Sequence, residues 1–349
     1  MSILRLGELF CGPGGLGLGA AMASDAVRHV WATDYDADSC ATYGLNLADD
    51  WDNVLCCDVR TLRWSTLGRI SAVDILTFGF PCNDFSVVGE QRGLSGKYGP
   101  LYVYCARALE YFKPSFFVAE NVGGLRSADG GRAFEAVLGR FRKAGYSLYP
   151  HLYDFSKYGV PQARKRIVIV GVRRDIALVY RVPCPSLYSH IDVSCRTALE
   201  CPPIPELAAN QEPTKQSPAV IERLRHIKPG QNAFNADLPE HLKLNVKGAT
   251  ISQIYRRLDP DKPAYTITGS GGGGTHVYHW ADPRALTNRE RARLQSFPDY
   301  YEFCGRRGSV REQIGMAVPP VGAKAIFKAL FSCVNGVEYP WIEQNIKGD

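Results

Sequence analysis

Glu8-Leu9-Phe10-Cys11-Gly12-Pro13-Gly14-Gly15-Leu16-Gly17-Leu18-Gly19 is the stretch on which the fold turns. It overlaps the end of a strand-like apolar run over residues 4–9 and opens a helix-like segment over 15–23. Glycines at such a junction permit a tight turn and let a ligand approach the backbone at a helix N-terminus. Taken alone, the stretch fits any nucleotide-binding glycine-rich loop, or simply a tight strand-to-helix turn. Outward from it, the first ~170 residues alternate short apolar runs with helix-like segments, the signature of a parallel sheet with crossover helices. Strands are expected over 4–9, 29–33, 73–78, 115–119 and 166–172, and helices over 15–23, 37–47, 102–111 and 131–144. The β-branched run Ile167-Val168-Ile169-Val170 suits a fully buried strand.

The pattern changes after Arg174. Prolines cluster over 182–218, residues 215–257 are mixed and basic, and a glycine run follows at Gly269-Ser270-Gly271-Gly272-Gly273-Gly274. This region reads as a smaller irregular domain with long loops. Regular patterning returns over 286–297 and, as an amphipathic helix, over 320–334. With 349 residues, 45% hydrophobic and 22% charged, the chain has the composition of a soluble two-domain protein. Its apolar runs fall well short of the ~20 residues of a membrane span, and its opening run is strand-like, so neither a membrane anchor nor a signal peptide is expected. Eleven cysteines, odd in number and without paired C-x-x-C spacing, read as reduced cytosolic thiols with no metal site. The net charge is +6, yet residues 1–60 hold nine acids against three arginines, a net of −6. The remainder carries +12, so a polyanion is expected to meet the later parts of the chain.

The chemistry-bearing residues close two apolar runs. The run over 73–78 leads into Gly79-Phe80-Pro81-Cys82-Asn83-Asp84-Phe85-Ser86, and Phe116-Phe117-Val118-Ala119 leads into Glu120-Asn121-Val122. A nucleophilic thiol and an acid at the ends of two adjacent strands suit covalent chemistry on a flat electrophilic ring. A free thiol is only a few per cent ionised at neutral pH and needs activation. Most cysteines of such a chain are packing residues, but Cys82 is set apart by its Pro-preceded, polar-followed setting. Other notable segments are Ala32-Thr33-Asp34-Tyr35-Asp36, Cys57-Asp58-Val59 and Val160-Pro161-Gln162-Ala163-Arg164-Lys165-Arg166. In the first, an acid at a strand end suits a ribose diol, while Asp36 suits an N-cap. Thr287 with Glu290 forms a capping box in the segment 284–299.

With these motifs in order across 4–335, the chain resembles the cytosine-5 DNA methyltransferases, of the bacterial or phage modification type. The resemblance implies an α/β fold. A Rossmann-like S-adenosylmethionine-dependent methyltransferase sheet would occupy 1–180, a target-recognition domain 181–307, and a segment 308–349 would return to the catalytic domain. It implies that Cys82 attacks carbon 6 of a cytosine flipped from duplex DNA, with Glu120 at ring nitrogen 3, Arg166 at the carbonyl oxygen, and Arg164 at a phosphate or near the thiolate. For S-adenosylmethionine it implies a pocket of Phe10, Gly12, Pro13, Gly14, Asp34 (ribose), Tyr35 (adenine), Asp58, Val59, Pro81, Leu101, Ala317 and Val318. For double-stranded DNA it implies Ser86, Gln91 and Arg92 in the glycine-punctuated loop after Cys82, then Gln162, Arg256, Arg257, Thr266 and Thr268, with Lys243 and Lys247 on phosphates. The family usually has Gln at the position of Asn83 and Asn at that of Met316, and Asp is commoner than Glu8. A cytoplasmic monomer that shares its site with a cognate restriction endonuclease, and makes no membrane contact, is the expected context. An RNA cytosine-5 methyltransferase would place its cysteine where Glu120-Asn121 stands. A catalytically silent DNA-binding regulator would not need Cys82, Glu120, Arg164 and Arg166 together. A thiol hydrolase would need a histidine partner motif, which the seven histidines do not supply.

Overall fold

The computed structural model describes residues 3–80, 101–244, 253–269, 271 and 274–348. Two units divide the chain. The first holds residues 1–158, 165–189 and 318–349, and the second 159–164 and 190–317. The boundaries expected at 180 and 307 therefore move: 159–164 and 308–317 belong to the second unit and 318–349 to the first.

The first unit is built on seven strands: β1 (Leu4–Leu9), β2 (Val27–Asp34), β3 (Val54–Cys56), β4 (Ile75–Phe78), β5 (Phe116–Val122), β6 (Tyr146–Asp154) and, after the short β7 (Gln162–Ala163) of the second unit, β8 (Lys165–Arg173). Their order is β3-β2-β1-β4-β5-β8-β6. All neighbours are parallel except β8, which runs antiparallel to both β5 and β6. The helices α1 (Gly15–Ala23), α2 (Ala37–Leu47), α3 (Trp64–Ile70), α4 (Tyr102–Phe112) and α5 (Arg132–Lys143) connect the strands. Apolar strand faces bury Leu76, Phe78 and Phe117 with Leu109, Val137 and Phe141 from the helices. Phe78 stacks on Phe117 with ring centroids 5.5 Å apart, and Gly171 on β8 leaves room for the Phe117 ring.

After the short strand β9 (Val182–Pro183), the second unit contributes α6 (Cys195–Glu200), α7 (Pro218–His226), β10 (Ala264–Tyr265), α8 (Asn288–Leu294) and α9 (Arg307–Met316). It has two small cores, one around Leu258, Ile267, Trp280 and Leu294, the other around Leu224, Leu238, Tyr255 and Tyr278. The expected capping box is present: Thr287 accepts from Glu290 N while the Glu290 carboxylate accepts from Thr287 N at 2.8 Å. The chain then re-enters the first unit through α10 (Pro320–Val334) and ends past β11 (Trp341–Ile342), which pairs with β9. By length and composition the run Arg307–Val334 is apolar enough to cross a membrane; 78% of its most apolar window is buried, and Pro319 and Pro320 separate α9 from α10.

The topology reverses between β1 and β4. The chain goes outward from β1 to β2 and β3, then returns to β4 and proceeds through β5 in the other direction. In open α/β sheets, ligands bind beyond the carboxyl ends of the strands at such a switch point.

Candidate active site

Register lines up three strands. Leu9 pairs with Phe78, and Phe78 with Ala119. The glycine-rich turn beginning at Phe10 and the segment beginning at Gly79 therefore leave the sheet side by side, while β5 runs three residues further and carries Glu120, paired with Val168 of β8, past them. Cys82 follows Gly79 by three residues in the sequence. Cys82 and Pro81 lie outside the described residues, as do Ser86, Gln91, Arg92 and Lys247.

Glu120 and Arg166 form an ion pair, Nε to Oε1 at 3.0 Å, with side chains 12% and 15% exposed. The pairing follows from the antiparallel β8, which sets Arg166 opposite Val122 at the end of β5. The carboxyl group also stands over Gly79, where a Cβ would lie 3.6 Å from Glu120 Oε2. Asn121 is buried and donates from Nδ2 to the carbonyl of Phe80 at 3.1 Å. It ties the end of β5 to the backbone two residues before Cys82. The motif reading gave Asn121 no role. The available signal was an amide directly after a strand-end acid, beside a neighbouring strand end in need of a donor.

The turn after β1 is held from β2. Asp34 accepts from Gly12 N at 2.8 Å and from Asp36 N at 3.0 Å. Burial raises its pKa above the ordinary carboxylate value. Asp36 caps α2 through Ser39 N at 2.8 Å. Phe10, Gly12 and Gly14 all take positive φ, at 52°, 50° and 85°. A Cβ on Gly12 would meet nothing within 4 Å, so the turn fronts open space there. A Cβ on Gly15 would strike the Val318 carbonyl, so residue 318 packs against the start of α1. Tyr35 is 69% exposed, while Val59 and Leu101 are buried. Asp58 is engaged by Arg60, whose Nε lies 2.9 Å from Oδ2. Pro13 is buried in the same turn. Ala317 closes the last segment of the second unit and Val318 opens that of the first. Open space at Gly12, a carboxylate beside it and an exposed aromatic ring one residue on together fit a nucleoside-bearing methyl donor. A separate cavity of about 600 Å³ opens at the other end of β5, lined by Phe116, Leu178, Val337 and Trp341 among others, and contains none of these residues.

Three expected contact residues are spent elsewhere. Arg164 was expected at a phosphate or near the thiolate, and Gln162 and Arg257 on DNA. Arg164 is 1% exposed, and its guanidinium donates to the carbonyls of Ile267, Gly315 and Ala317, each at 3.0 Å. Gln162 is fully buried, donating to Gln295 Oε1 at 2.6 Å and accepting from Ile267 N at 2.9 Å. Arg257 is 6% exposed and donates to the carbonyls of Leu224, Ile227, His279 and Asp282. The second unit has few strands and helices, so its buried carbonyls lack backbone donors, and these side chains supply them. Gln295, which the sequence did not single out, joins the same clasp through Ile314 O and Ala317 O. Thr266 donates to Ala163 O at 2.9 Å, Thr268 is half-buried, and Arg256 lies over the Tyr265 ring at 4.5 Å. Met316 is 65% exposed. Its neighbours' carbonyls are the ones Arg164 binds, so the backbone there is fixed without an Asn side chain.

The chain matches the family model for C-5 cytosine-specific DNA methylases over residues 4–332. It is 53% identical to the type II methyltransferase M.BbvI of Brevibacillus brevis, over 97% of this chain and 93% of that protein. It is 40% identical to the type II methyltransferase M.NgoFVII of Neisseria gonorrhoeae, over 93% and 85%. Among solved structures, a DNA modification methyltransferase encoded within an E. coli prophage shares the fold, with a TM-score of 0.73 at 23% identity, covering 95% of this chain and 99% of that one. With a family match over residues 4–332 and relatives of this similarity, the chain belongs to the C-5 cytosine-specific DNA methylase family, whose members transfer a methyl group to carbon 5 of cytosine in DNA.

Proposed function

We propose that this chain methylates cytosine within a short specific site in duplex DNA, with Cys82 as nucleophile, Glu120 and Arg166 on the base, and S-adenosylmethionine as donor. The observation that carries it is the Glu120–Arg166 ion pair, with the Glu120 carboxyl standing over Gly79. An acid and a guanidinium side by side match the ring nitrogen 3 and carbonyl oxygen 2 of cytosine. The Cys82 thiolate adds to carbon 6, Glu120 provides a proton or hydrogen bond at nitrogen 3 as charge develops, and Arg166 faces oxygen 2. Carbon 5 becomes nucleophilic and gains the methyl group. Loss of its proton then expels Cys82 and restores the ring. S-adenosylmethionine, when bound, supplies an electrophilic methyl group. Asp34 would hold its ribose, Tyr35 its adenine, and the backbone of 12–14 would line its path, with Asp58, Val59, Leu101 and Val318 around them. The base is out of reach inside a duplex, so it must be rotated out of the stack. On this reading the protein acts in the cytoplasm as a monomer, beside an endonuclease that cuts the same site.

The test is transfer of tritiated methyl from S-adenosylmethionine to duplex DNA. Cys82→Ser should lose turnover and keep DNA binding. Duplex carrying 5-fluorocytosine in its sites should trap a covalent complex with the unaltered protein and none with the variant. Full turnover by Cys82→Ser would remove the covalent route.

A further inference from the structure

In the second unit, α8 buries an arginine without a carboxylate. Arg291 is 1% exposed, and among the described residues its Nη1 has no hydrogen-bond partner. The adjacent acid, Glu290, is committed to Arg284, with both guanidinium contacts at 2.8 Å, and to Thr287 N. An unpaired buried guanidinium is costly, so a local excess of positive charge is held here by design of the fold. Its Nη2 approaches His276 Nδ1 at 3.4 Å. A guanidinium can only donate, so Nδ1 must be the acceptor and the imidazole proton sits on Nε2. Burial and the nearby Arg291 and Arg311 push the His276 pKa down to about 4, so the ring is a neutral donor at working pH. Its Nε2 has no hydrogen-bond partner among the described residues. Arg311, on α9, is half-buried against Gly271 and donates from Nε to Gly269 O at 3.3 Å. Among the described residues Arg311 has no ion-pair partner. One neutral N–H donor and one guanidinium, neither ion-paired to an acid among the described residues, are short of an acceptor that carries negative charge.

We propose that His276 and Arg311 form a binding site for one DNA phosphodiester, with Arg291 as the positioning residue that fixes His276 as its Nε2–H tautomer. The proposal rests on the reading that duplex DNA is the substrate. A phosphate oxygen suits both donors, and phosphate contacts fix register without reading sequence.

The test is the salt dependence of binding of the full-length protein to labelled duplexes of about 24 base pairs and unrelated sequence. Arg311→Gln should weaken binding to all of them and lower the slope of log K against log salt by about one. His276→Ala should weaken binding several-fold with the slope unchanged, because a neutral donor releases no counterion. Arg291→Met should shift the ¹⁵N signature of His276 from Nε2–H toward a tautomer mixture, a change that simple loss of packing would not give. If that variant does not fold, the other two decide. Unchanged affinity and slope in Arg311→Gln would overturn the proposal, and so would a loss confined to one duplex sequence. Unaltered protein that binds no duplex at all would remove the DNA reading itself.

Discussion

Glu8 sits under the glycine-rich turn, 1% exposed, and among the described residues its Oε2 has no hydrogen-bond partner. Gly17 leaves it room: a Cβ there would lie 2.5 Å from Oε2 and 3.1 Å from the Tyr43 hydroxyl, which itself meets His29 Nδ1 at 2.9 Å. Burial raises the Glu8 pKa from 4.5 to about 8, with the Asp34 charge a lesser contributor. The sign follows from linkage. Between these values the native state holds a proton that the unfolded chain has lost, so stability falls as pH rises from about 4.5 to about 8 and levels off beyond. The full drop is on the order of 5 kcal/mol. Glu8→Gln is neutral throughout, so its urea midpoint should fall less than that of the unaltered protein between pH 5 and pH 8; parallel curves would contradict a neutral Glu8. At this scale the side-by-side placing of Glu120 and Arg166 follows from strand position and residue type, while Cys82 lies outside the described residues. The places of Gln162, Arg164 and Arg257 do not follow in this way. Whether a polar side chain meets solvent or an orphan carbonyl depends on a backbone that the sequence does not display.

The element that secures the first unit's glycine-rich turn comes from the far end of the chain. α10 lies on α1, and Gly15 and Gly19, one helical turn apart, form the contact face. A Cβ on Gly19 would strike the Ala323 methyl and approach Pro320 O at 2.8 Å and Lys324 N at 2.9 Å. Gly19→Ala should therefore destabilise by about 1–3 kcal/mol despite its better helix propensity. Adding Ala323→Gly should recover only part of the loss, because the two backbone atoms remain. Denaturant titration of both variants checks this, and full rescue would mean that the methyl alone sets the spacing. The bounds of α1, α2 and α10 were legible from glycine, the Asp36 cap and apolar period. That α1 and α10 pack together was not, since no local signal links residues 19 and 323. β6 escaped detection because Pro150 interrupts its run. The sheet tolerates that proline because β6 is an edge strand with one neighbour, β8. β3 is three residues long and carries too little pattern to read.

For the whole molecule, net charge misleads about how DNA is met. The second unit holds eighteen basic and fourteen acidic side chains, a net of +4. Four of the eighteen, Arg164, Arg257, Arg289 and Arg291, are buried. Arg289 donates to the carbonyls of Ala209, Pro298 and Tyr301, as Arg164 and Arg257 do to theirs. Glu290 is the one acid of this unit buried with them among the described residues, so much of the unit's excess is mortar for irregular loops. A net charge of only +4, much of it set below the surface, steers a polyanion weakly over long range, whatever contacts form once it is bound. The association rate with duplex DNA should therefore fall by less than about tenfold between about 50 mM and about 200 mM salt, while the equilibrium constant keeps the steeper dependence set by individual phosphate contacts. Stopped-flow mixing with a labelled duplex measures the first and titration the second. An association rate as steep in salt as the equilibrium constant would show instead that the charges act collectively at a distance.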